Sequence, residues 1–158
     1  MGYKEADFFG VPSRIFRISF SGELAYEINV KSDHGMFMWE KMMEVGEEFG
    51  NQPYGTEALS TLRIEMGHVA GPELDGRTIP SDVSLNGLVS KKKDFIGKNS
   101  LGREAFNVES RQKIVGLIPI DRKSSIPEGS HIVQDKNVKS PNPKLGHVSS
   151  SCWSVENN

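Results

Sequence analysis

The sequence predicts an α+β fold, and three observations carry that prediction. Residues 14–30 alternate apolar and polar side chains in two short runs about a turn signal. Residues 34–49 carry an apolar stripe at helical spacing, and beyond Lys113 the texture changes to short strand-like runs.

In the first stretch Phe16, Ile18 and Phe20 alternate with Arg17 and Ser19, the period of a half-buried strand. Ser21-Gly22-Glu23 supplies a reversal, since Gly tolerates the positive φ that a tight turn needs. Tyr26, Ile28 and Val30 then alternate with Ala25, Glu27, Asn29 and Lys31, which puts Glu27 opposite the apolar face. A carboxylate there points either at water or into a polar cavity between layers, and periodicity does not choose. Residues 1–13 show no clean period and read as a lead-in closed by Gly10 and Pro12.

Ser32-Asp33 offers an N-cap, and Phe37, Met38, Lys41, Met42, Val45 and Phe49 then fall near a 3.6-residue spacing. Trp39 and Met43 widen the stripe, so the helix is expected to lay its indole against the hairpin. Gly50-Asn51 and Pro53 stop it. A second helix is expected over about Thr56–Met66, with Ala58, Leu59, Leu62 and Met66 on one side and Gly67 at its end. A long connection follows to Ser84, then a short strand over Leu85–Ser90 and a short helix near Ser100–Phe106. The polar residues 107–112 mark a boundary. Beyond it lie an apolar run over Ile114–Ile120, a strand over His131–Gln134 and another over Leu145–Ser150.

The chain has 158 residues, of which 36% are hydrophobic and 25% charged, enough to bury a real core. Nineteen basic residues against 21 acidic ones leave it nearly neutral, so no global charge recommends nucleic acid or an anionic membrane as partner. The single Cys152 excludes an intrachain disulfide and a four-cysteine zinc site, which fits a cytoplasmic location. Neither a membrane span nor a signal peptide is legible. The four histidines have no metal-ligand spacing, and no phosphate loop, dinucleotide fingerprint or nucleophile elbow occurs.

Phe20-Ser-Gly-Glu-Leu-Ala-Tyr26-Glu27-Ile28 resembles the Tyr-Thr-Gly-Glu-x-Gly-Tyr-Glu-Ile/Leu segment of the folate-dependent aminomethyltransferase family. Pro53-Tyr-Gly-Thr-Glu57, Leu62-Arg-Ile-Glu65-Met-Gly67, Ser90-Lys-Lys-Lys-Asp-Phe-Ile-Gly97 and Gln112-Lys-Ile-Val-Gly-Leu117 continue the match in order. The blocks at residues 53 and 90 are most similar to the branch formed by alpha subunits of heterotetrameric sarcosine oxidases. Leu59 points the same way, because the glycine-cleavage branch has an arginine there. The resemblance implies that residues 1–107 are the C-terminal half of a folate-binding domain and 108–158 the start of a small, partial C-terminal β-barrel. It also implies a long region ahead of the hairpin, with the catalytic aspartate, and at least one strand after Asn158. The chain is therefore expected to be a fragment, with no catalytic residue of its own and no activity in isolation.

A pterin presents an exocyclic amine and a ring N–H side by side, and a carboxylate accepts both at once. In the resembled family the glutamate at the Glu27 position does this. Phe20, where many members have tyrosine, would wall the ring by stacking without offering a hydroxyl, and Tyr26 completes the candidate set. The implied cofactor is tetrahydrofolate, with flavin and NAD only in other parts of the parent complex. Implied partners are folate itself and either other sarcosine oxidase subunits or the missing N-terminal half; nucleic acid and membrane are not expected. The implied function is capture of a one-carbon unit from a methylated amine as 5,10-methylenetetrahydrofolate. A binding-fold module with turnover lost is the alternative. Lys91-Lys-Lys93 reads as a solvated edge before it reads as an anion site.

Overall fold

The structure is a computed structural model that describes residues 2–138 and 141–155. The further strand expected after Asn158 lies outside the described residues. Helix and strand are mixed, as an α+β fold requires. The chain forms two compact units, Met1–His68 and Val69–Asn158. The division expected at 107/108 falls within the second of these.

The first unit opens on a hairpin where the sequence predicts an irregular lead-in. Strand β1 (Gly2–Phe8) pairs antiparallel with β2 (Val11–Arg17), and β2 pairs with the short β3 (Glu27–Asn29). The reversal at Phe9-Gly10 has φ of 54° and 80°, the two positive values of a type I′ turn. Gly10 takes the second position without strain, and its N–H donates to Asp7 Oδ1 at 2.7 Å. Only Ala6 and Phe8 of β1 lose much solvent exposure, so a clean alternation was never written into that strand. On β2 the buried face carries Val11, Ser13 and Ile15 rather than the even-numbered set that includes Phe16. The strand begins three residues further upstream than expected, at Val11, with the odd positions as the core set, and alternation sends Phe16 to the open face.

The tight reversal expected at residue 21 is instead a broad loop over residues 18–26. Ser19 Oγ accepts the Gly22 N–H at 2.9 Å, and Gly22 has φ +94°. A Cβ at Gly22 would come within 2.6 Å of Met66 Sδ, so this loop lies against the end of the second helix. A backbone held there cannot extend the β2–β3 ladder.

Helix α1 (Gly35–Gly46) follows a 3₁₀ turn at Ser32–His34, and a further 3₁₀ turn at Glu47–Phe49 continues it to Gly50. It buries Met38, while Trp39 remains 56% exposed. The indole therefore does not anchor the helix, contrary to the expectation that it packs on the hairpin. Helix α2 spans Thr56–Met66, the predicted bounds, and Gly67 ends it. Its inward residues are Leu59, Leu62 and above all Arg63, which is 5% exposed; Ala58 and Met66 face solvent. Arg63 carries its guanidinium to the His68 carbonyl at 3.5 Å.

The second unit has little regular structure. The strand expected over Leu85–Ser90 is a 3₁₀ turn at Asn86–Leu88, as Gly87 and Asn86 favour a local reversal over extended pairing. Helix α3 covers only Lys98–Leu101, with a 3₁₀ turn at Glu104–Phe106. The run over Ile114–Ile120 has no regular secondary structure, ends in a turn at Ile120 and pairs with no strand among the described residues. Strand β4 (His131–Val133) pairs antiparallel with β5 (Lys144–His147), both shorter than the sequence suggested. This two-stranded sheet does not amount to a barrel. Several long-range bonds tie the unit together: Arg111 donates to both carboxylate oxygens of Asp82 and to the Arg77 carbonyl, Ile114 N–H donates to Asp82 O at 2.7 Å, and Ser150 Oγ donates to Glu73 Oε1.

Candidate functional site

The residues that could carry chemistry lie in the first unit, on the open face of the three-stranded sheet. Register pairs Tyr3 with Phe16 and Phe16 with Glu27, so the three form one row across the strands. Directly opposed residues share a face, which sets Glu27 beside Phe16, with Tyr3 one strand further along the row. The next row is Glu5, Arg14 and Asn29, all exposed. The opposite face carries Ile15 against Ile28, as expected of the apolar side of β3.

Glu27 is exposed, and no protein donor among the described residues reaches its carboxylate. A free carboxylate beside aromatic surface suits a planar ligand with paired N–H donors on one edge. Tyr3 and Phe16 have ring centroids 5.1 Å apart at a 41° tilt. The Tyr3 hydroxyl donates to Glu5 Oε1, and this bond raises the phenol above its usual value of 10.0, so the ring stays neutral. Sequence reasoning missed Tyr3 and Phe16. Their signal was the register, which cannot be counted until the Phe9-Gly10 turn is recognised.

Phe20 sits on the loop between β2 and β3, and its ring lies 4.7 Å from the His68 imidazole at 54°. The loop's seat on α2, through Gly22 and Met66, brings these two rings together. Tyr26 is 58% exposed at the end of that loop. Of the three candidates, then, Glu27 lies on the Tyr3–Phe16 row, Phe20 pairs with His68, and Tyr26 precedes β3 on the opposite side of the alternation. No group of three or more acidic, histidine and cysteine side chains among the described residues could hold a metal ion.

In the second unit, Lys91, Lys92 and Lys93 are exposed around Ser90 Oγ, which accepts two of their backbone N–H groups. A shallow hollow of about 220 Å³ follows, lined by residues including Asp94, Phe95 and Lys98. Its one cation, Lys98, is already bound to Asp94 at 2.9 Å and to the Lys93 carbonyl.

Residues 1–93 match the family described as the GCVT N-terminal domain, and the chain belongs to that family. Its relatives include the sarcosine oxidase subunit alpha of Corynebacterium sp. (strain P-1), 43% identical over 145 residues, which cover 90% of this chain and 15% of that protein. The sarcosine oxidase subunit alpha of Rhizobium meliloti (strain 1021) is 41% identical over 154 residues, covering 96% of this chain and 16% of that protein. The aminomethyltransferase of Bacillus mycoides (strain KBAB4) is 37% identical over 116 residues, covering 72% of this chain and 31% of that protein. The family resemblance carried by the motifs is therefore correct. The chain spans about one sixth of the length of the sarcosine oxidase subunits it matches. No helix among the described residues is long and apolar enough to cross a membrane.

Proposed function

We propose that this chain is the folate-facing portion of a sarcosine oxidase alpha subunit-like protein. It takes part in capturing a one-carbon unit from a methylated amine on tetrahydrofolate, giving 5,10-methylenetetrahydrofolate. The observation that supports this best is the free Glu27 carboxylate on an aromatic row, within the segment that resembles the family's folate motif. Glu27 is the acceptor for the amine and ring N–H of the pterin; Phe20, stacked on His68, and Tyr26, just ahead of β3, are the further candidates from the same motif. Oxidation of the amine belongs to flavin and NAD sites in other parts of the parent assembly, which also supplies the other subunits as partners. In this arrangement residues 1–107 form the C-terminal half of the folate-binding domain, and 108–158 begin a small barrel of which β4 and β5 are the first strands.

Calorimetric titration of the purified chain with tetrahydrofolate tests the reading. Glu27→Gln keeps the shape but replaces a two-point anionic acceptor with one acceptor and a misplaced donor. Affinity is expected to fall about a hundredfold, from weaker charge assistance and an unpaired pterin N–H. Equal affinities for wild type and variant would make Glu27 a solvated strand residue and sink the proposal.

A further inference from the structure

We propose that His131 and His147, on one face of the β4–β5 sheet, form a two-imidazole site for a divalent transition-metal ion of the zinc, nickel and copper class. Imidazole suits these ions. In sequence the two histidines are far apart, and only the strand register sets them opposite each other. Just beyond them, Val148 N–H donates to the Ser130 carbonyl at 2.9 Å. That bond makes Ser130–Val148 a hydrogen-bonded pair, so alternation leaves His131–His147 at the closer, non-hydrogen-bonded position. Side chains so placed leave the sheet together, with Cβ atoms about 4.5–5.5 Å apart. Two ring nitrogens can then converge on one ion at about 2.0–2.1 Å each. Both histidines are exposed, so neither ring is committed to a core. Lys144 pairs with Val133 on the same face and donates its ammonium to His131 Nε2 at 3.1 Å. An ammonium only donates, so Nε2 carries the lone pair and Nδ1 the proton. Neutral imidazole of this kind is the form that ligates metal. Lys144 thus sits where the ion would, and the ion displaces it. No third acidic, histidine or cysteine side chain completes the cluster among the described residues, which leaves the other coordination positions to water. The site lies wholly in the second unit and is independent of the folate reading. A bound ion would clip β4 to β5, strands of three and four residues.

Calorimetric titration of the untagged chain with zinc chloride, in a buffer that does not chelate metal, tests the site. His131→Gln and His147→Gln should each weaken binding by about a hundredfold, the loss of a linked second ligand. Lys144→Met should instead tighten it, because a competing cation leaves the same nitrogen. Zinc should raise the melting temperature of the wild type and leave that of either histidine variant unmoved. His34→Gln, in the first unit, should bind as the wild type does. Melting curves without metal show whether each variant folds. Should a histidine variant fail to fold, ring-proton NMR of the wild type decides, and the His131 and His147 signals should move together as zinc is added. Zinc affinity that survives both histidine substitutions, ring signals that do not move, or no binding by the wild type at millimolar zinc would overturn the site. Weaker or unchanged binding in Lys144→Met would overturn the assignment of His131 Nε2 as a ligand atom.

Discussion

At the scale of single residues, burial separates side chains that the sequence alone treats alike. Trp39 and Met38 are neighbours on one apolar stripe, yet Met38 is 5% exposed and Trp39 56%. Trp39→Ala should therefore cost about 1 kcal/mol or less in chemical denaturation. A buried indole would cost about 3–5 kcal/mol, so a loss of that size would restore the packing expected from periodicity. Arg63 shows the reverse: a charged residue, 5% exposed, takes a core position that a hydrophobic pattern assigns to aliphatic side chains. Periodicity counts apolar atoms, and the guanidinium's use of the His68 carbonyl is invisible to it. Glu27 was legible because its motif and its alternation agree. Its aromatic neighbours were not, because cross-strand partners depend on a register that no single strand encodes.

Among the elements, those punctuated by glycine and proline were read well. Pro53, Gly55 and Gly67 fix α2 at Thr56–Met66, and Gly50 closes the segment that begins with α1. Elements that depend on distant partners were read poorly. β1 has a largely polar surface and becomes a strand by pairing with β2; Ile114–Ile120 has strand composition but no partner strand among the described residues. In that second unit the Asp82–Arg111 pair ties together two segments outside the β4–β5 sheet. Arg111's hydrogen bonds hold the Asp82 carboxyl below its usual 3.8, with the Ile79 N–H assisting. A lowered folded value stabilises the charged form, so this contribution is complete above pH 3.8 and disappears as pH falls through the folded value. Asp82→Asn should lower the unfolding midpoint at neutral pH and flatten its dependence on acid. A variant with the wild-type midpoint and acid profile would show that the pair holds nothing.

For the whole molecule, identity and fold sit at different levels of certainty in the sequence. Ordered motif blocks identified the family, which the match over residues 1–93 bears out. Those blocks are short and local, so they said little about long-range pairing in the second unit. The polypeptide also exposes large apolar side chains, among them Leu24, Phe49, Leu88 and Ile96, each more than two-thirds open to solvent. The buried apolar side chains are few by comparison: Val11 and Met38 in the first unit and Val83 in the second, among the described residues.

The Asp82–Arg111 pair also decides how the second unit answers a cut in its chain. The pair and the Ile114–Asp82 bond close a circuit around residues 82–114, and the exposed Lys91-Lys-Lys93 lies on that circuit. Trypsin acting there would break a covalent link without breaking the clasp. A gently nicked chain should migrate as one species on a native gel and as two in detergent. Lowering the pH until Asp82 takes up a proton should part the pieces without detergent. Separation at neutral pH would show that the backbone, rather than the clasp, keeps the two arms together.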